Sequence, residues 1–178
     1  MWRPLQFYRE RRRIRSIFRE QLSPALLEAL EKDLAPLSTN LQSRTIDFIL
    51  LQVRDMPTEG IQNILSPVLD ALIDSHATIS QVWPLTMGYF GIPVETPTDE
   101  NRSKRHAAIL ALVAASGPDV RMLHGATECL FGNIGSSGRC DYNVLLPHFS
   151  DLISILLGMD FGQTAKVDLV DGKWSVEG

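Results

Sequence analysis

Few residues in this 178-residue chain combine types and spacings that could do chemistry. His148, Ser150 and Asp151 supply the three groups of a base, a nucleophile and an orienter, but they are neighbours on one predicted helix. Side chains one to three residues apart there cannot line up in series for proton transfer. His124 has no cysteine or histidine at metal-ligand spacing around it and is expected to be a strand-end histidine with a satisfied hydrogen bond. Gly132, Gly135 and Gly138 could suggest a phosphate cradle, yet no Gly-Lys-Ser/Thr follows them, so a hairpin turn is expected instead. Cys129 and Cys140 read as plain thiols in a reducing compartment, since a chain of this size buries about 70% of its unfolded surface without needing disulfides.

Charge is the remaining chemical asset. Residues 1–20 carry seven arginines against Glu10 and Glu20, a net +5, which leaves −9 on the other 158 residues against a whole-chain charge of −4. A basic arm on an acidic body suits an acidic protein surface or anionic lipid. Nucleic acid is not expected, because aromatic residues do not interleave the basic ones in a known binding module.

The elements that would position these groups follow from periodicity. With 44% hydrophobic residues and a mean hydropathy of zero, the chain has the composition of a soluble globular protein. No apolar run approaches the ~20 residues of a spanning helix, and no secretory signal opens the chain, so a cytoplasmic protein is expected, with membrane association possible only through the basic arm. Leu5 to Gln21 reads as a helix with Phe7, Ile14, Ile17 and Phe18 as its apolar residues, too short and polar to stand without a partner surface. Ser23-Pro24 opens a second short helix. These segments form an N-terminal unit, 1–40, ahead of a domain spanning 41–178.

Within the domain, Thr45 to Val53 is a nearly continuous apolar run expected to be a buried central strand. Ile61 to Ile73 has helical spacing, with a break expected near Ser66 because Pro67 follows. Thr78–Val82 and Met87–Phe90 are expected to form a hairpin, and 92–101 a loop. Arg105–Ala115 is read as an alanine-rich helix, and Val120–Leu123 and Cys129–Ile134 as separate strands. The second of these is paired with Tyr142–Leu146 through a long loop. Phe149 to Leu157 is a helix capped by Gly158 in a left-handed conformation. The tail alternates around Asp171-Gly172, a strong hairpin dipeptide. The fold class is therefore α+β, a ferredoxin-like βαββαβ core preceded by N-terminal helices and followed by a hairpin, a helix and a hairpin.

One stretch carries a family resemblance. Gly132-Asn133-Ile134-Gly135-Ser136, Arg139 and Asp141-Tyr142 resemble the G-N-I-G-S-x-x-R-x-D-Y segment of class III nucleotidyl cyclases, the adenylate and guanylate cyclase catalytic domain. Arg121-Met122 resembles the strand that enters this segment. Phe90-Gly91-Ile92-Pro93 resembles an F-G-x-P, and Val53-Arg54 an I-R after the first strand. Phe18 to Leu27, with Ser23-Pro24, is similar to the helix that precedes bacterial cyclase domains.

The resemblance implies two metal ions held by a pair of aspartates that activate the ribose 3′-hydroxyl, and hard divalent cations require oxygen ligands. The positions implied for the aspartates hold Gln52 and Pro84, or Leu85 on a one-residue slip. The asparagine and arginine implied on the later helix fall at Ser150 and Ser154, four residues apart on one face. A serine hydroxyl cannot supply a fixed guanidinium fork at a phosphate. The base-selecting position is Asn143, and its lysine partner falls near Ser80 or Gln81. Gly132, Asn133, Gly135, Ser136, Arg139, Asp141 and Tyr142 remain mainly as architecture.

The resemblance thus implies a catalytically inactive cyclase-homology domain that works in signal transduction as a homodimer or with a partner chain, through Phe7, Ile14, Ile17 and Phe18 of the arm. No cofactor or metal is expected. The alternatives are a nucleotide-binding sensor that retains the purine cleft, and a residual cyclase with a rewired site.

Overall fold

The computed structural model of the chain describes residues 27–28, 41–81, 84–91, 107, 111, 117–136 and 139–177, with backbone only at 81, 133–136 and 139–143. The predicted helix over 5–21, nearly all of the one from Ser23, the 92–101 loop and most of Arg105–Ala115 therefore lie outside the described residues.

Strand β1 (Gln42–Val53) lies in the interior of a seven-stranded sheet. Its apolar run is covered on both faces because successive side chains point oppositely. Ile46, Phe48 and Leu50 enter one core, whereas Ile49, Leu51 and Val53 enter the other. Helix α1 (Thr58–Asp74) covers the second core with Leu65, Val68 and Leu72. It runs unbroken through Pro67, contrary to the expected break at Ser66. Asn63, Ser66 and Pro67 are all exposed, so water can satisfy the Asn63 carbonyl that proline leaves without a donor.

β2 (Thr78–Gln81) and β3 (Leu85–Phe90) pair antiparallel as expected, although β3 starts two residues earlier than Met87. β3 flanks β1 on one side, with Leu50 opposite Met87. β4 flanks it on the other, with Leu50 opposite Leu123.

β4 (Val120–Ser136) is a single strand of 17 residues, not the two strands expected. Gly125 lies inside it. It is a point of close approach, because a Cβ there would run into the Val167 carbonyl and the Phe48 ring. β5 (Arg139–Leu145) pairs with the far half of β4 up to Ser136 opposite Arg139. The expected long loop is thus replaced by strand pairing that leaves two residues between the partners. β1 ends its pairing opposite Phe131, and from Gly132 onward β4 pairs only with β5 as a two-stranded ribbon.

Helix α2 (Phe149–Gly158) lays Leu152 and Leu156 on the first core. Gly158 sits inside the last turn, and the cap is Met159 in an extended conformation, so the left-handed glycine cap is not formed. β6 (Thr164–Val170) then joins β4 in parallel, with His124 opposite Lys166. β7 (Lys173–Val176) completes the hairpin predicted from Asp171-Gly172, both of which have positive φ (49° and 74°). Trp174 stands edge-on to Phe48 at 5.6 Å and donates its indole N–H to the Pro147 carbonyl at 3.0 Å.

The result is a mixed α+β fold whose sheet order is β2-β3-β1-β4-β6-β7, with β5 also on β4.

Candidate functional site

The C-terminal end of β1 is a corner where polar residues interrupt two apolar strands. Strand parity places Gln52 on the face covered by α2, opposite Leu85 in β3 and Arg121 in β4. Pro84 directly precedes Leu85, so the backbone brings Gln52 and Pro84 to one corner, as the resemblance implies for its two aspartates. Neither side chain is a carboxylate.

Arg121 organises this corner. Its Nε and Nη2 donate to Gln52 Oε1 at 2.9 and 2.6 Å. Its Nη1 donates to the carbonyls of Leu157 and Met159 at 2.8 and 2.7 Å. Helix C-termini leave carbonyls without intrahelical donors and carry partial negative charge. α2 has no basic residue in its own last turn, and β4 supplies the cation instead. The guanidinium also lies 4.6 Å from the Phe161 ring, as does that of Arg54. Arg54 in turn binds Asp119 twice, through Nε to Oδ1 at 2.9 Å and through its backbone N–H to the carbonyl at 2.8 Å.

This corner does not fit a divalent metal ion. Such an ion needs several oxygen ligands, preferably anionic. The one side-chain oxygen of Gln52 already accepts two hydrogen bonds from a positive group. Among the described residues no group of three or more His, Cys, Asp or Glu side chains could hold a metal.

Ser150 and Ser154 fall four residues apart on the exposed side of α2, and their hydroxyls are spent locally. Ser154 Oγ donates to the Ser150 carbonyl at 3.0 Å, and Ser150 Oγ to Asp151 Oδ1 at 3.4 Å. His148 is the left-handed residue preceding α2 (φ 49°), and Ser150 turns its hydroxyl to Asp151. His124 is not at a strand end. It lies buried well inside β4, opposite Ile49 and Lys166. Cys129 is a buried free thiol pushed up to about 11 by burial, with Arg44 lowering it and Glu128 raising it further, so it is protonated and inert at neutral pH.

The glycine-rich motif lies on the ribbon. Gly132 pairs with Asn143, Asn133 with Tyr142, Ile134 with Asp141, Gly135 with Cys140 and Ser136 with Arg139. The side chains of Asn133, Ser136, Arg139, Asp141, Tyr142 and Asn143 lie outside the description, as do Phe7, Ile14, Ile17 and Phe18 altogether. Sequence reasoning missed the Arg121 contacts and the part of Phe161, Arg54 and Asp119. Inward parity of Gln52 and Arg121 at adjoining ends of two apolar strands was the available sign.

No protein-family model matches the sequence, and no curated protein matches it. Solved structures do. The chain resembles adenylyl cyclase CyaB from P. aeruginosa, with a TM-score of 0.56 and 16% identity over 72% of this chain and 79% of that one. It also resembles a bacterial light-regulated adenylyl cyclase (TM-score 0.58, 11% identity), covering 94% of this chain and 56% of that one. A dimeric guanylyl cyclase domain of the RhoGC fusion protein from the aquatic fungus Blastocladiella emersonii is similar with a TM-score of 0.52 and 8% identity, over 71% and 82% of the two chains. The fold is that of the catalytic domains of class III adenylyl and guanylyl cyclases.

Proposed function

We propose that this chain is a catalytically inactive cyclase-homology domain that acts in signalling by association, as a homodimer or with a partner chain. The observation that carries the reading is the Gln52 corner. Where the family resemblance asks for a metal-binding carboxylate, a neutral amide is spent on Arg121. The opposite half is as poorly equipped, since Ser150 and Ser154 offer no cation for a transferring phosphoryl group.

The strand order β2-β3-β1-β4 with antiparallel pairing throughout supports reading residues 41–178 as a ferredoxin-like core with a β6-β7 extension. Association is supported by the root of the β4–β5 ribbon. Leu130 and Leu145 face each other there, and they are 45% and 46% exposed. Leu41, the residue before β1, is likewise 45% exposed, and exposed apolar groups brought together mark contact surfaces. The basic arm, with Phe7, Ile14, Ile17 and Phe18, is the second contact element, docking on an acidic protein surface in the cytoplasm or, secondarily, on anionic lipid. Among the described residues no helix is long and apolar enough to cross a membrane.

The test is a cyclase assay on the full chain with ATP or GTP and Mg²⁺ or Mn²⁺. No cyclic nucleotide is expected above that from a mock preparation. Product that disappears in Gln52→Ala or Ser150→Ala protein would overturn the proposal.

A further inference from the structure

The sheet face that α1 covers is open at its far end. Met122 lies in the core under α1, and strand parity puts Ala126, Glu128 and Leu130 on the same face. All three are exposed, whereas Thr127, Cys129 and Phe131 between and beyond them are buried on the other side. Leu130 stands opposite both Ser43 and Leu145, and directly opposed residues share a face. Glu128, which accepts from the Ser43 hydroxyl, and Asp47, opposite Ala126, add two carboxylates to it. Among the described side chains the bases of this face are Lys166, tied to Asp168 and Glu177, and Lys173, on β6 and β7.

The sequence holds a segment that matches this surface. Read as a helix, residues 5–21 bring Phe7, Ile14 and Phe18 within about 40° of one another, with Ile17 on one side of the stripe and Arg11 and Arg15 on the other. The stripe is about 16 Å long, and the strand from Ser43 to Asp47 about 13 Å. Residues 1–20 carry +5 against the acidic body. The joining residues 22–41 span up to about 65 Å and lead into β1 beside Ser43, so the arm of the same chain reaches the open face at high effective concentration.

We propose that residues 5–21 dock on this open face of their own sheet, with the apolar stripe on Leu130 and Leu145 and with Arg11 and Arg15 paired to Glu128 and Asp47. The docked arm covers the leucine pair, so the two contact elements of the proposed association mask each other, and an associating partner must separate them. The masking rests on the association reading; the docking stands on the match of the two surfaces.

Hydrogen exchange of the full chain, read at residues 5–21 with the solution mass measured alongside, tests it. These amides should exchange at least about tenfold slower than in the same segment as a free peptide, and equally at about 1 and about 100 µM, because a contact within one chain does not depend on concentration. Glu128→Arg and Leu130→Gln/Leu145→Gln should each raise exchange there more than about fivefold, while β1 stays within about twofold of wild type. Arg11→Glu/Arg15→Glu leaves the sheet's own sequence intact, should give the same rise, and serves if the sheet variants do not fold. Unprotected amides, or protection unchanged in all of these variants, overturns the docking, and a dimeric mass in that case leaves the association reading standing. Protection lost on dilution of a dimer overturns it in favour of a second copy's arm. A released arm on a chain that still stays monomeric upholds the docking and counts against self-association.

Discussion

The Gln52 corner and the serine face of α2 are the two places where the family resemblance implies catalytic residues, and each holds its neutral residues in a different way. At the corner the neutral residue has been built into the fold, bonded twice to Arg121, which also holds two carbonyls of α2. On the serine face Ser150 and Ser154 remain on the surface and bond only within the helix. Without Gln52, a guanidinium and helix carbonyls next to the core would need other partners. A serine on an exposed helix face can be replaced by water. Stability should therefore be sensitive to the corner and nearly indifferent to the serines.

Arg121→Met is the strongest way to break that contrast. It removes four hydrogen bonds and should cost about 2 to 3 kcal/mol in urea unfolding, allowing for partial exposure. A loss no larger than that of a serine variant would erase the distinction. Gln52→Asp sharpens it at smaller scale, because the new carboxylate should pair with Arg121 and add up to about 1 kcal/mol near neutral pH. That pairing lowers the folded pKa of the carboxyl below its unfolded value of about 3.9. The added stability should thus be fully present above the unfolded value and vanish as pH falls through the folded one. A gain that persisted in acid would count against an ion pair. Ser154→Ala and Ser150→Ala should be smallest, within about 0.5 kcal/mol of wild type, since an exposed serine that bonds back to its own helix adds little.

Much of the sheet was legible because its cues are local. The run from Thr45 to Val53 and the Asp171-Gly172 turn each determine their structure from adjacent residues. The unity of β4 was not legible, because the residues between Leu123 and Cys129 carry no run of strand formers and are held in the strand by pairing with β1. Pro67 misled because its cost depends on whether the affected carbonyl faces water. For the site, the sequence could say what Gln52 and the two serines lack. It could not say what Gln52 does instead, because Leu157 and Met159 come within reach of Arg121 only after α2 packs on the sheet.

An inactive cyclase homologue with this corner should hold no metal–triphosphate complex. Calorimetric titration of the full chain with Mn²⁺·ATP and Mn²⁺·GTP tests it most directly. No heat beyond dilution is expected; saturable micromolar binding that is lost in Gln52→Ala would contradict an inactive domain.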